Sequence, residues 1–287
     1  MSSSLPAGVP ETGPVAALCH DPAPVGAVAV SLLLGTYGLF GRPVDLPLVI
    51  AGFCGVTVVY AADRAWGTSP EDRVNRPGRV AWVRAHRDWL AIETAGLFAL
   101  GGAMLPYLER ESLFWTAVLG GVTALHVWPW GRARPLLRGF AKPGAIAGAW
   151  AAGAGVLPLV EAGDAVGTGA LLFCAYRALF ILPNLLLADW ADRQGDADAG
   201  LMPWASRWTL RRTRWVATGL LLAAALGAVV WMAVGTMPLL VAIDAAGLGL
   251  MGGAVWGLDP SRPRGAFLTD LVVAWPLVTA LAAWMIV

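Results

Sequence analysis

Ionisable side chains are scarce in this 287-residue chain: Asp, Glu, Lys and Arg together reach 14%, where an average soluble domain carries about 25%. That shortage excludes an ordinary water-facing surface over most of the molecule. A net charge of +1 provides no basic surface, which excludes nucleic acid as a partner. Cys19, Cys54 and Cys174 are scattered, with no C-x-x-C pair, so neither a disulfide framework nor a zinc site is indicated. The three histidines lack the His–His or His–Cys spacing of a metal site. Walker-type, dinucleotide-binding and G-x-S-x-G motifs are absent. Residues 1–23 hold no Lys or Arg, and without a basic n-region a cleaved signal peptide is not expected. Their Pro, Ser, Gly and Ala content predicts a disordered cytosolic tail.

What the chain has instead is apolar surface, with 57% hydrophobic residues and 15 Trp. A helix that crosses a bilayer takes about 17–25 residues. Nine segments fit, at 24–40, 46–62, 89–107, 112–128, 143–160, 165–188, 215–234, 237–257 and 267–287. The fold predicted is all-α, a polytopic membrane protein of nine transmembrane helices, with 24–287 as a single domain. Gly- and Ala-rich stretches such as 144–155 let helices approach closely in lipid. The loops after segments two, four, six and eight hold 17 of the 20 Lys and Arg. The opposite loops carry Arg42 and Arg110, and Arg177 lies inside segment six. This asymmetry places the even-numbered loops and the amino terminus in the cytosol, in the inner membrane of a cell.

The stretch from Asn184 to Arg214 is where charge returns. Asp189, Asp192 and Asp196 are spaced i, i+3, i+7, which on a continued helix puts them within a sector of about 60°. Asp198 falls on roughly the opposite side. Three carboxylates on one face repel one another unless a positive group sits between them, and a divalent cation is the economical choice. A solvated helix end is the plainer alternative. Residues 203–215 then form a Trp/Arg-rich segment, readable as an interfacial anchor or as a lid over a site. A faint echo joins the halves of the chain: segment two ends in Ala62-Asp63-Arg64, and segment six is followed by Ala191-Asp192-Arg193.

Proteins bind diphosphates through magnesium held by carboxylates, with Arg or Lys on the remaining oxygens. The aspartates supply the first half of that recipe, and Arg64, Arg132, Arg138 and Lys142 are candidates for the second. A hydrophobic bundle behind such a site would hold a lipid tail. Together these point to a lipid diphosphate with its headgroup at the cytosolic mouth.

In these residues the sequence resembles the UbiA superfamily of intramembrane prenyltransferases, whose members have nine transmembrane helices and Asp-rich motifs after helices two and six. The second motif, D-x-x-D-x-x-x-D followed by glycine, is matched by Asp189, Asp192, Asp196 and Gly200, with Met202-Pro203 beyond. Trp128-Pro129 followed by Arg132 is similar to the family's element after helix four. The first motif aligns with 59–67 and keeps only Asp63. The loop continues through Glu71 and Asp72 to Asn75-Arg76-Pro77, so a displaced acid is available. The departure implies fewer ions, a substitute for the missing carboxylates, or loss of the ordinary reaction. The resemblance implies a UbiA-like bundle and Mg2+ on Asp63, Asp72, Asp189, Asp192 and Asp196. It further implies transfer of a prenyl group from an isoprenyl diphosphate to a lipophilic or aromatic acceptor. Trp66, Trp128, Trp130, Trp150 and Trp190 are candidates to shield a carbocation, or members of an interfacial belt.

Other residues have two readings each. Arg177 is expected either to bind substrate with Asn184 or to pair with a buried acid, Asp244 being a partner at the right depth. Glu93 and Asp270 face either the cavity or water. His86 and His126 are candidate proton acceptors or plain interface residues. Terpene cyclisation on the same fold and a non-catalytic lipid-binding or transport protein are the alternatives to prenyl transfer.

Overall fold

A computed structural model of the chain describes residues 14–66, 70–127, 141–198, 207–235 and 237–286. Among the described residues all regular structure is helical. A short helix α1 (Pro14–His20) precedes α2 (Ala23–Phe40) and α3 (Leu46–Trp66). Two cap helices follow, α4 (Pro70–Asn75) and α5 (Pro77–Ala85), then α6 (Arg87–Met104) and α7 (Arg110–Val127). The second half holds α8 (Ala141–Ala151), α9 (Leu157–Glu161), α10 (Thr168–Ala191) and α11 (Arg193–Asp198). It closes with α12 (Leu210–Val234), α13 (Pro238–Gly257), α14 (Pro263–Val273) and α15 (Pro276–Ile286).

Among the described residues, eight helical stretches are long and apolar enough to cross a membrane. The nine expected spans reduce to these eight plus α7, which occupies the fourth place. Its 18 residues begin with Arg110-Glu111 and reach His126, so its apolar content falls short. The fifth and ninth spans are not the uninterrupted helices expected. In the fifth, Ala152–Val156 widens into a π-helical turn between α8 and α9. A π turn frees backbone carbonyls from the helical ladder. Here the buried Thr36 hydroxyl of α2 donates to the Ala154 carbonyl at 2.7 Å. In the ninth, the chain breaks between α14 and α15, where Pro276 has no N–H to continue the ladder. Trp275 at that break folds against α13 and donates to the Ile243 carbonyl at 2.8 Å. Gly247 makes room for its indole, which a Cβ at that position would strike.

α10 lies at the centre, packed against α8, α12, α13 and α14, while α2 packs between α3 and α15. A Cβ on Gly35 of α2 would collide with Pro276 of α15, so these two helices cross backbone to backbone. α6 is peripheral: 6% of its span is buried, against 50% for the span of α10. Its exposed Phe98 and Ile92 suit a lipid-facing position.

A charged pair lies deep in the core. Arg177 of α10 and Asp244 of α13 are 1% and 3% exposed and form a bidentate pair, both bonds at 2.9 Å. The Tyr176 hydroxyl donates to Asp244 at 2.7 Å and the Thr279 hydroxyl at 3.0 Å. The guanidinium also stands over the Phe173 ring at 4.9 Å. Of the two readings of Arg177, the structure displays the buried pair.

Candidate functional site

The second motif sits at one end of α10. Asp189 lies in its last turn, buried; Asp192 caps the helix with ψ near 1°; Asp196 lies buried on α11. The continuous helix expected here is therefore jointed at Asp192. The backbone bonds Asp192 N–H to Ala188 C=O (3.0 Å) and Asp196 N–H to Asp192 C=O (3.2 Å) carry the helical sense across the joint. All three acids interact with Lys142, and Asp198 is exposed.

Lys142, the only lysine of the chain, reaches Asp189 from the start of α8 with Nζ 3.5 Å from Oδ1. Its charge also interacts with Asp196 and Asp192. The cap meets the same group from the other side, with α4 packed on α11. Arg76 donates through Nε to Asp192 Oδ1 at 2.7 Å. Asn75 bridges α11, accepting from the Gly195 N–H at 2.8 Å and donating to Asp196 Oδ1 at 3.3 Å. Asn75 and Arg76 were not among the residues singled out by chemistry. Their signal was the Asn-Arg-Pro run after the first acidic loop.

From the first half, Asp63 lies exposed near the end of α3, and Asp72 lies half-buried on α4, 2.6 Å from Arg79 Nη2. Burial pushes the Asp72 carboxyl above its ordinary range against the opposing pull of Arg79, and the charges of Asp63 and Asp192 add to the rise. Acids from both loops thus lie within electrostatic reach of one another. Arg64 donates to the His20 carbonyl at the end of α1. Asn184 donates to Asp270 Oδ1 at 2.8 Å, so Asp270 faces the bundle interior, where the sequence left both orientations open. Arg132, Arg138, Trp128 and Trp130, the His126 and Trp66 side chains, and residues 203–206 of the 203–215 segment lie outside the described residues. His86 stacks on Trp82, ring centroids 4.3 Å apart, as an interface residue does. Trp190 donates to the Trp208 carbonyl at 3.1 Å, and Arg193 covers its face at 3.7 Å. Trp150 meets Tyr60 edge-on at 6.3 Å.

The donor set suits a hard cation. Oδ2 of Asp189 is buried with no hydrogen-bond partner, an open acceptor that otherwise costs about 1–3 kcal/mol. Among the described residues no three His, Cys, Asp or Glu side chains converge on one point. Mg2+ is usually held by one or two carboxylates together with substrate phosphates and water, and Asp189 with Asp192 supply that number.

The apolar helices form an intramembrane bundle with an Asp-rich end, and comparison with solved structures shows that its fold is that of the UbiA homologs. The chain is similar to a UbiA homolog from Archaeoglobus fulgidus bound to DMAPP and Mg2+, at a TM-score of 0.61 and 13% identity over 94% of this chain and 99% of that one. It is similar to an apo UbiA homolog from Aeropyrum pernix K1, at a TM-score of 0.60 and 14% identity, covering 91% and 98%. A structure of digeranylgeranylglyceryl phosphate synthase matches at a TM-score of 0.56 and 12% identity, covering 93% and 96%. No protein-family model and no curated protein sequence matches the chain.

Proposed function

We propose that this chain is a magnesium-dependent prenyltransferase of the UbiA superfamily, with its Asp-rich end at the cytosolic face of the membrane. It moves a prenyl group from an isoprenyl diphosphate to a lipophilic or aromatic acceptor. The observation that carries this reading is the meeting of Asp189, Asp192 and Asp196 with Lys142 at one end of the bundle. Support comes from the homolog of the same fold that binds DMAPP and Mg2+.

Asp189 and Asp192 hold the ion in this reading, with Asp63, Asp72 and Asp196 around them, and Lys142 takes a diphosphate oxygen as a charge-assisted hydrogen bond. When bound, Mg2+ would draw charge onto the diphosphate and so favour departure of the leaving group. Arg76 stands close enough to Asp192 to exchange that carboxylate for a phosphate oxygen. Trp150 offers an aromatic face near developing positive charge, worth about 0.5–2 kcal/mol. Arg132 and Arg138 belong to the same proposed anion site by their place in the sequence, whereas Arg177 is committed to Asp244.

The test is to incubate purified protein with Mg2+, a panel of prenyl diphosphates and candidate acceptors. Transferred product and diphosphate release are expected, with both lost in D189N and D192N. Intramolecular hydrocarbon products would select cyclisation instead, tight binding without turnover would select a binding protein, and substrate flux in proteoliposomes would select a transporter.

A further inference from the structure

Asp270 lies on α14 within an apolar span, half-buried. An ionisable group inside a span is costly and is tolerated where it faces a cavity or a partner. Its Oδ1 accepts from Asn184 Nδ2 at 2.8 Å. Asn184 precedes Asp189 by five residues on α10, a descent of about 7.5 Å at 1.5 Å per residue. Asp270 is therefore braced below the aspartates, on the membrane side. In the prenyl-donor reading, the chain of a diphosphate gripped at Asp189 extends on that same side.

The groups around it come from separate helices. Tyr60 and Arg64 of α3 interact with Asp270 electrostatically, as does Arg76 of the cap. Tyr60 in turn meets Trp150 of α8. A carboxylate and its amide partner thus lie within electrostatic reach of a phenol, which in turn meets an indole. The two bases nearby are already engaged, Arg64 with the His20 carbonyl and Arg76 with Asp192. Among the described residues, an acceptor that carries its own carboxylate would meet Asp270 with neither Arg64 nor Arg76 free to receive it. An uncharged hydroxyl meets a hydrogen-bond acceptor.

We propose that Asp270, braced by Asn184 and flanked by Tyr60, is the acceptor subsite and receives the proton of an uncharged alcohol or phenol. This rests on the prenyl-donor reading above and names the substrate class of the same site. The acceptor oxygen forms a bond to C1 as the C1–O bond breaks. The electron pair of that bond leaves on the diphosphate, and the hydroxyl proton passes to Asp270 and then to water. The sum is prenyl ether, diphosphate and one proton, with no oxidant or reductant required.

The experiment uses the full chain with Mg2+, geranyl thiolodiphosphate as donor probe, and 1-naphthol against 1-naphthoate as acceptor probes, with binding read by calorimetry. Wild type is expected to bind naphthol at least tenfold more tightly than naphthoate. D270N is expected to bind naphthol at least tenfold more weakly while holding the thiolodiphosphate within twofold of wild type, and D270E to recover part of the loss. The proposal is overturned if D270N binds naphthol as wild type does, or if naphthoate is preferred. It is equally overturned if D270N and D270E both lose the thiolodiphosphate, since Asp270 then serves the donor site or the fold. Wild type that binds naphthol through Asp270 but no thiolodiphosphate would keep the acceptor subsite and remove the prenyl-donor reading.

Discussion

Asp189 combines burial, a lysine at 3.5 Å and an oxygen with no partner. Replacing it by Asn keeps the shape and removes the charge, so D189N is expected to abolish magnesium-dependent binding of a prenyl diphosphate, read by calorimetry. K142M removes a charge-assisted bond of about 1.5–3 kcal/mol, and its affinity for the diphosphate should fall by about 10- to 100-fold. The Arg177–Asp244 pair belongs to stability instead. R177M leaves a buried carboxylate uncompensated, at a cost of about 3–5 kcal/mol. Thermal unfolding in detergent should show that loss, and the apolar double variant R177M/D244L should regain much of it.

Among the elements, the turn between α13 and α14 is held by Asp259, whose carboxylate accepts from the Ser261 hydroxyl at 2.7 Å and from its N–H at 3.0 Å. These bonds, with smaller help from Arg262, hold the Asp259 carboxyl below its usual range. A lowered folded-state value means the stabilisation is present above the unfolded carboxylate value of about 3.9 and is lost as pH falls through the folded one. The side chain is half exposed, so the effect is small, under about 1 kcal/mol. S261A should unfold at a slightly lower temperature than wild type at pH 7, and the difference should shrink as the pH falls below the unfolded carboxylate value. Helices of this kind are legible in a sequence because length and hydropathy report them directly. The π turn at Ala152–Val156 is not, since its Ala154 carbonyl accepts from Thr36, 118 residues away. The joint at Asp192 escaped for a related reason: its i, i+4 bonds preserve the helical period, and period is all that spacing reports.

For the molecule as a whole, the site is a meeting of distant segments. The spacing of Asp189, Asp192 and Asp196 was readable because it lies within about two helical turns of chain. Arg76 lies 116 residues from Asp192 and Asn75 lies 121 from Asp196, so their pairing is a property of the cap's docking and not of any local pattern. Asp270 is likewise placed by α14 packing on α10, which no periodicity reveals. Because the proposed ligand ties these segments together, it should stabilise the folded chain. At a concentration 100 times its dissociation constant a ligand adds about 2.7 kcal/mol. Geranyl thiolodiphosphate with Mg2+ should therefore raise the unfolding temperature, while either component alone should raise it less.

The bond from Arg76 to Asp192 also sets a tempo. A metal ion that took Asp192 Oδ1 into its shell would have to displace the guanidinium, which holds that oxygen. Uptake then has two stages, unlatching and capture, and only the second depends on how much metal is present. In rapid mixing, the observed rate should climb with metal concentration and level off at the unlatching frequency. In R76A the plateau should disappear and the rate should stay linear.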